Sequence, residues 1–367
     1  MSSIVITGVG LVTALGPDRE TTWSRLLAGR RAPRRVGDGL IGAPACFSQA
    51  GQPGRDDHDE PEYEYDPVIR LALQAAQECM ADALLSDGSF RRERSGCVVG
   101  TSKGGLATAA RWLTAEGDGS KTPFDQIFPH AASQIIARRY RLLGPCLAPV
   151  AACATGLVCL IRAAEWIRDG ACDFVLAGSA DASLLPIVLG SFRRLGVLAK
   201  AVSDPADACR PFDRERSGFV VGEGAAMFAL EREASARARG AKIYGEWIAG
   251  SLASDPSGLM FLDPSGESLT WLIRETLRRG NITAADVDYL NLHGTATRQN
   301  DLCETRALHA ALGRDAVRVA CSSQKGSLGH LLGAAGSVET ALTLLALRDQ
   351  IVPPTMNLTQ PDPECDL

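Results

Sequence analysis

One cysteine stands where a predicted helix begins. Cys153 lies in Ala-Ala-Cys-Ala-Thr-Gly, residues 151–156, and an apolar helical pattern follows at once. The N–H groups of a first helical turn lack carbonyl partners and the helix dipole is positive there, so both favour a thiolate over a thiol. Most cysteines, however, are small buried apolar side chains. The segment alone therefore leaves two interpretations open, a nucleophile or a core residue.

Two of the five histidines lie in glycine-flanked turns. His293 follows a predicted strand in Asn-Leu-His-Gly-Thr-Ala-Thr, and ligand sites of α/β proteins gather at the carboxyl ends of strands. His330 ends the segment Ser-Ser-Gln-Lys-Gly-Ser-Leu-Gly-His, with Lys325 five residues before it. A lone histidine in such a place is usually structural. One cysteine and two histidines without clustered metal-ligand spacing favour thioester chemistry over a zinc site.

The elements that must position these side chains alternate between strand and helix patterns. The predicted strands are residues 2–8, 96–100, 174–178 and 288–293. The predicted helices are residues 67–84, 156–169, 267–279 and 333–348. Such alternation predicts an α/β protein in which helices cover a sheet.

The chain also shows a weak internal symmetry. Residues 218–230 predict a glycine-bearing hairpin, and a new strand is predicted near Ile243 after the charged connection 231–242. Two copies of one βα unit would explain this pattern, and an unrelated second α/β lobe stays open. Residues 36–66 and 115–123, rich in Gly, Pro, Asp and Ser, predict surface loops.

Charge and composition narrow the function classes. The 367 residues carry a net charge of −5 without a long basic run, so nucleic-acid binding is not expected. The apolar run at residues 4–8 is too short for a membrane span and lacks the basic flank of a signal peptide. Eleven cysteines without a Cys-x-x-Cys pair argue against a disulfide framework or a zinc site. We expect a soluble protein of the reducing cytoplasm.

Taken together, these motifs resemble one family. The sequence is similar to β-ketoacyl-[acyl carrier protein] synthases of the elongating type (KAS II), within the thiolase superfamily, over nearly the whole chain. The resemblance implies an α/β, thiolase-like fold with two pseudo-repeated βα halves in a layered αβαβα arrangement. Residues 1–242 would carry the nucleophile, with the two predicted loops as insertions, and residues 243–367 would carry both histidines. The matching segments are 4–16, 151–156, 209–214, 218–224, 293–297, 325–336 and 345–358.

The resemblance also implies the reaction, a decarboxylative Claisen condensation. Cys153 would accept an acyl group from the phosphopantetheine arm of a carrier protein. His293 and His330 would assist loss of CO₂ from malonyl-acyl carrier protein and stabilise the enolate, a charge that two imidazole N–H groups suit. The product would be a 3-oxoacyl-acyl carrier protein of fatty acid, polyketide or related lipid biosynthesis. Because loss of CO₂ drives carbanion formation, no metal ion or other resident cofactor is expected.

Supporting residues follow from the same resemblance. Lys325 would be a buried cation that organises the second histidine together with an acidic partner. Glu304 and Asp301 fall at the matching positions of the helix after the first histidine. Thr295 and Thr297 resemble the hydroxyls that hold the amides of pantetheine, and a turn-capping role for them stays open.

The sequence departs from the family at its acyl pocket and at its end. Lys103, in Gly-Thr-Ser-Lys-Gly-Gly, stands where the family usually has an apolar residue, which predicts a shorter, more polar or differently routed acyl pocket. A stem along the wall with its ammonium in solvent is the alternative. The family also continues past Leu367 with a hairpin bearing Gly-Phe-Gly-Gly-Thr-Asn. Residues 243–367 would then stop before this hairpin, which would supply the oxyanion donor that joins the backbone N–H of Cys153. We expect the chain to continue into the hairpin; its replacement by another segment, or its loss, stays open.

The resemblance implies partners as well. We expect an acyl carrier protein and a homodimer with residues 124–140 near the two-fold axis. The acidic segment 62–66 stands where the family tends to be basic, and it would repel an acidic carrier. Docking is therefore expected elsewhere, through Arg193, Arg194 and Arg210, and an unusual carrier protein stays open as the alternative.

Two other function classes remain as alternatives. A non-catalytic subunit that shapes chain length in a heterodimer usually lacks the nucleophile, whereas Cys153, His293 and His330 are all present. A thiolase-like degradative enzyme that uses coenzyme A normally has a second cysteine late in the chain, but Cys365 stands in no such context. These residues favour an active condensing enzyme.

Overall fold

The computed structural model describes residues 3–37, 40–47, 65–86, 88–114, 124–258 and 262–367. The helices in these ranges are α1 (Arg19–Leu27), α2 (Pro67–Asp82), α3 (Leu106–Thr114), α4 (Ala131–Arg139), α5 (Thr155–Arg168), α6 (Pro186–Arg194), α7 (Glu233–Ala238), α8 (Glu267–Gly280), α9 (Arg298–Leu312), α10 (Lys325–Leu328) and α11 (Ala335–Asp349). The strands are β1 (Ile4–Val12), β2 (Arg34–Gly37), β3 (Leu40–Ala43), β4 (Ser95–Gly100), β5 (Cys146–Leu147), β6 (Phe174–Asp181), β7 (Val221–Gly222), β8 (Gly224–Arg232), β9 (Gly245–Glu246), β10 (Tyr289–Asn291) and β11 (Ala320–Ser322). Among the described helices, none has the length and hydropathy needed to cross a membrane.

A six-stranded sheet forms the centre of the molecule. Its strand order is β5-β4-β6-β8-β1-β9, with β4 parallel to β6 and β8 antiparallel to both β6 and β1. Every residue of β1, β4 and β6 is buried. Burial on both faces explains why these strands read as continuous apolar runs and not as alternating patterns.

Helices and a second sheet complete five layers. Helices α2 and α4 pack on one face of the large sheet, and α5 and α11 pack on the other. Beyond α11 lies the parallel pair β10–β11, whose far side is covered by α8 and α9. The order is therefore αβαβα, and the predicted thiolase-like fold is confirmed.

The predicted hairpin at residues 218–230 is wrong. β7 pairs in parallel with β3 in a small sheet, whereas β8 pairs with β1 and β6 in the large one. The apolar sequence of β8 is buried along eight of its nine residues, which requires a central position between two strands. The strand predicted near Ile243 is β9, which pairs with the edge of β1.

The predicted loop at residues 36–66 is partly structured. It contains β3, where Ile41 and Ala43 are buried against neighbouring elements. Its central part, residues 48–64, lies outside the described residues, as does the predicted loop at 115–123.

The two inner helices begin in the same way. A 3₁₀ turn precedes α5 and another precedes α11, and each turn starts at a non-glycine residue with positive φ, Ala152 (47°) and Leu332 (48°). Glycines let the two helix starts touch. A Cβ on Gly156 would lie 2.4 Å from the backbone N of Ser337, and one on Gly336 would lie 3.0 Å from the backbone N of Leu157. This contact places the residues before α5 beside those before α11.

Candidate active site

Three side chains from distant parts of the chain meet at the starts of α5 and α11. The Sγ of Cys153 lies 3.1 Å from Nε2 of His330. The rings of His293 and His330 are 5.3 Å apart and nearly perpendicular, at 84°. One ligand-type atom of each of the three residues lies within 4.8 Å of the others. The structure thus brings together the three residues that the sequence motifs singled out.

The ring of His330 is held by its own turn. Its Nδ1 accepts a hydrogen bond from the backbone N–H of Leu332 (3.2 Å), and its backbone N–H donates to the carbonyl of Val220 (2.6 Å). The ring also meets Phe219 edge to face at 5.1 Å. Because Nδ1 accepts, the single proton of the neutral ring resides on Nε2. His330 therefore presents an N–H donor to Cys153.

His293 has a matching arrangement with a different donor. The Nζ of Lys325 lies 3.5 Å from its Nδ1 and also donates to the His293 carbonyl. The Lys325 side chain is buried and forms an ion pair with Glu339 on α11. An ammonium facing Nδ1 leaves the ring proton on Nε2. Both histidines thus carry the same tautomer.

The acidic partner predicted for Lys325 was wrong. Its ammonium contacts Glu339, whereas Glu304 and Asp301 hold backbone groups. Glu304 accepts from the backbone N–H groups of His293 (2.6 Å) and the next glycine (2.8 Å), which fixes the turn. Asp301 accepts from the backbone N–H of Phe212 (2.8 Å). The histidine that Lys325 contacts is the first, His293, through its ring and its carbonyl, and not the second, His330.

Burial sets the charges of the two histidines. It lowers the pKa of His293 and of His330 well below the ordinary value, and the Lys325 ammonium lowers both further. Both rings therefore stay neutral donors at neutral pH. Glu304 shows the opposite effect, because burial raises its pKa to about 7.

Two opposing effects act on the nucleophile. Burial raises the pKa of the Cys153 thiol, and the Lys325 ammonium opposes that rise. The N–H of His330 and the N-terminal end of α5 also stabilise a thiolate. Cys153 is thus a partly buried thiol whose anion has three sources of stabilisation.

The predicted substrate-binding residues lie in different surroundings. The hydroxyls of Thr295 and Thr297 are 2.9 Å apart, and Thr297 caps α9 by accepting from the backbone N–H of Asn300. The turn-capping alternative therefore holds for Thr297. Lys103 does not extend freely into solvent, since its Nζ donates to the hydroxyls of Ser102 (2.6 Å) and Ser183 (3.1 Å).

Two acidic residues of this region, Glu339 and Asp181, were not among the predicted site residues. Glu339 is the single carboxylate among the apolar and small residues 335–347 of α11, and a largely buried carboxylate requires a cation. That signal could have paired it with Lys325. Asp181 ends β6 and lies 3.8 Å from the Nζ of Lys103. No sequence pattern joins those two residues, because their strands are neighbours only in the folded sheet.

The three arginines predicted to dock the carrier protein differ in exposure. Arg193 and Arg194 are exposed on α6, whereas Arg210 is half-buried and 3.4 Å from the carboxylate of Asp213. Asp66 is buried and caps α2, so it presents no acidic surface. Residues 62–64 lie outside the described part of the chain.

The donor set is unsuited to a metal ion. A metal would need the lone pair of Nε2 on each histidine, and therefore a proton on each Nδ1. Metal-binding histidines donate that proton to a carbonyl or a carboxylate. Here Nδ1 of His330 faces an N–H and Nδ1 of His293 faces an ammonium. Moving either proton to Nδ1 would point it at another donor.

An open cavity gives access to the site. Its volume is about 450 Å³, and its walls are mainly apolar. Cys153 and His293 line it together with Asn291 and Glu339. A thiol and an imidazole on the wall of a mainly apolar cavity can react with a bound thioester away from bulk water.

Comparison with known families agrees with this arrangement. The family model described as "Beta-ketoacyl synthase, N-terminal domain" matches residues 1–236, and "Beta-ketoacyl synthase, C-terminal domain" matches residues 244–359. The chain belongs to the beta-ketoacyl synthase family. The family predicted from the cysteine and histidine motifs is confirmed.

Individual relatives extend over the whole chain. A 3-oxoacyl-[acyl-carrier-protein] synthase 2 of Rhizobium meliloti is 38% identical over 99% of this chain and 90% of its own length. The tetracenomycin polyketide synthase ketoacyl synthase alpha subunit of Streptomyces glaucescens is 36% identical over 99% and 89%.

Solved structures of ketosynthases also match this chain over its full length. A type II polyketide synthase acyl-carrier protein in complex with its ketosynthase, bound to the hexaketide, gives a TM-score of 0.88 at 30% identity, over 100% of this chain and 91% of the other. A beta-ketoacyl synthase from Burkholderia phymatum gives 0.87 at 30% identity with the same coverage. The likeness thus includes relatives named as 3-oxoacyl-[acyl-carrier-protein] synthases and relatives named for polyketide synthesis.

The pKa of His330 predicts a pH dependence of stability. In the native protein this ring stays neutral, whereas in the unfolded chain it binds a proton below its ordinary pKa of 6.5. The unfolded state then binds more protons, so the free energy of unfolding falls as the pH drops below that value, by up to about 1.4 kcal/mol per pH unit from this group. Urea unfolding at pH 7.5 and 5.5 should show a smaller fall for His330→Gln than for the wild type.

The exposed His130 provides the control for this measurement. His130→Gln should leave the fall between the two pH values as large as in the wild type. An equal fall in all three proteins would contradict the assignment of His330 as a neutral buried ring.

Proposed function

We propose that this chain condenses an acyl group on Cys153 with malonyl-acyl carrier protein, by a decarboxylative Claisen reaction. The product is a 3-oxoacyl-acyl carrier protein for fatty acid, polyketide or related lipid biosynthesis. One observation carries the proposal. Cys153 shares a site with two neutral imidazoles whose N–H groups are both on Nε2.

The first step is acyl transfer to the nucleophile. The Cys153 thiolate attacks the carbonyl of an acyl-carrier thioester, and the carrier's phosphopantetheine thiolate leaves and takes up a proton. The backbone N–H of Cys153 is the proposed donor to the oxyanion that forms in this step. The N-terminal end of α5 and the N–H of His330 make the thiolate available without a strong base.

The second step forms the carbon nucleophile. A malonyl thioester loses CO₂, and the electron pair of the broken bond passes to the thioester as an enolate. The Nε2–H groups of His293 and His330 donate to the enolate oxygen, and neutral rings can do so at neutral pH because their pKa values are low. The enolate carbon attacks the acyl-Cys153 carbonyl, and collapse of the adduct returns the Cys153 thiolate.

The remaining residues have supporting roles in the proposal. Lys325 fixes the tautomer of His293, and Glu304 fixes the turn that presents it. Thr295 lies beside the cap of α9, where its hydroxyl can accept or donate a hydrogen bond to a pantetheine amide. No resident cofactor takes part, because departing CO₂ leaves the electron pair that forms the bond.

The proposal includes a second copy of the chain as partner. β5 is an edge strand of the large sheet, and Leu143, Leu147 and Val150 around it are exposed by 64%, 42% and 54%. An exposed apolar edge strand is a template for another strand, and two copies can pair by two-fold symmetry. A second exposed apolar cluster lies within residues 1–242. It consists of Trp112, Phe124 and Phe128, whose rings contact one another in sequence order.

A cytoplasmic location also belongs to the proposal. The eleven cysteines are all unpaired thiols, which suits a reducing compartment. Cell fractionation tests this, and recovery of the protein outside the cytoplasmic fraction would contradict it.

The proposed reaction is tested with the Cys153→Gln variant. Glutamine occupies the position of an acylated cysteine but cannot accept an acyl group, so condensation should vanish while decarboxylation of malonyl-acyl carrier protein persists or rises. Product formation and CO₂ release are measured separately, with mass spectrometry of acyl-Cys153 in the wild type. A wild type that neither becomes acylated at Cys153 nor releases CO₂ would overturn the proposal.

The quaternary structure is tested by sedimentation. Two chains of 38.8 kDa should sediment together, and Leu147→Asp should yield a single chain because it places a charge on the exposed edge. A wild type that sediments as one chain contradicts the homodimer. A wild type that dimerises only when mixed with a homologous subunit favours a heterodimer.

A further inference from the structure

A charged pair lies at the carboxyl ends of β4 and β6, next to the site. The Nζ of Lys103 is 3.8 Å from a carboxylate oxygen of Asp181, which is buried. The hydroxyls of Ser102 and Ser183 bridge the two, since each accepts from the ammonium and donates to the carboxylate. Two hydroxyls and one carboxylate therefore hold the Lys103 ammonium in one place.

The pair is joined directly to the turn that carries His330. The backbone N–H of Gly333 donates to Asp181 (3.1 Å), and the preceding N–H, of Leu332, donates to the ring of His330. A Cβ on Gly333 would lie 2.6 Å from the backbone N of Ser102. The Lys103 loop and the His330 turn are therefore in close backbone contact.

The pair also acts on Cys153 through its charges. Burial is the main cause that raises the pKa of this thiol, the two lysines near it lower that pKa, and the two carboxylates raise it. The neutral rings of His293 and His330 complete the surroundings of the sulfur atom. The charged groups whose electrostatic fields act on the pKa of Cys153 are Lys325, Glu339, Lys103 and Asp181.

We propose that Lys103 is a positioning residue for the nucleophile, which supplies a second positive field under which Cys153 reacts as a thiolate. Asp181 holds the ammonium in place and limits the strength of that field. Lys325 is committed to His293 and Glu339, so Lys103 acts on the sulfur atom independently of it. The catalytic meaning of this role rests on the proposed condensation, but the state of the thiol can be measured without it.

Removing the charge of Lys103 and removing the charge of Asp181 should have opposite effects on the thiolate of Cys153. Removing Lys103 leaves the Asp181 carboxylate uncompensated, which disfavours the thiolate. Removing the charge of Asp181 leaves the Lys103 ammonium uncompensated, which favours the thiolate. A purely structural role would impair the site in both variants.

The test is the pH profile of alkylation at Cys153, followed by peptide mass spectrometry with iodoacetamide as the probe. At pH 7, Lys103→Met should react about threefold or more slowly than the wild type, which corresponds to a rise of about half a unit in the apparent pKa of the thiol. Asp181→Asn, which retains an acceptor oxygen for Gly333, should react faster. The double variant should return toward the wild-type rate, and Lys103→Arg should retain it.

Lys200→Met is the matched control, because Lys200 is an exposed lysine whose removal should leave the profile unchanged. Circular dichroism and the urea midpoint show whether each variant folds. Equal profiles for Lys103→Met and the wild type would overturn the proposal, and so would slower alkylation in both single variants. If alkylation shifts as predicted while condensation is absent in the wild type, the role of Lys103 stands and the proposed reaction fails.

Discussion

Two hydrogen bonds on the far sides of two imidazoles determine what this site can do. The N–H of Leu332 and the ammonium of Lys325 occupy the Nδ1 atoms of His330 and His293. Each ring must then carry its proton on Nε2, away from the donor that faces its Nδ1. Burial keeps both rings neutral, so they remain donors and do not become acids. The same arrangement that suits an enolate makes the three side chains poor ligands for a metal ion.

The fold supplies these hydrogen bonds through the contact between α5 and α11. Gly156 and Gly336 have no side chains, so the two helix starts can approach closely. The turns before these helices carry Cys153 and His330. Lys325 reaches His293 because Glu339, on α11, compensates its charge in the interior. A buried ammonium without that carboxylate would be too costly to retain. The apolar layers of the fold thus confine the charged groups to one defined arrangement.

The sequence predicted the three side chains that meet in the site better than the residues that support them. Cys153, His293 and His330 stand in distinctive turns, and the helices at 67–84, 156–169, 267–279 and 333–348 agree with α2, α5, α8 and α11 to within two residues at each end. The partner of Lys325 was missed because the resemblance pointed to acids on the helix after His293, whereas tertiary packing brings Glu339 of α11 to the ammonium. The membership of β7 and β8 in different sheets was missed for the same reason, since strand partners lie far apart in the chain. Contacts set by tertiary packing leave little local signal.

The hydrogen bonds at Nδ1 make both active-site imidazoles neutral Nε2–H tautomers. Long-range ¹H–¹⁵N correlation spectra of histidine-labelled protein report this directly, with the signals assigned through His293→Gln and His330→Gln. We predict an unprotonated Nδ1 and a protonated Nε2 for both rings, unchanged between pH 8 and pH 6. A proton on Nδ1 of either ring, or conversion to imidazolium in that range, would contradict the account.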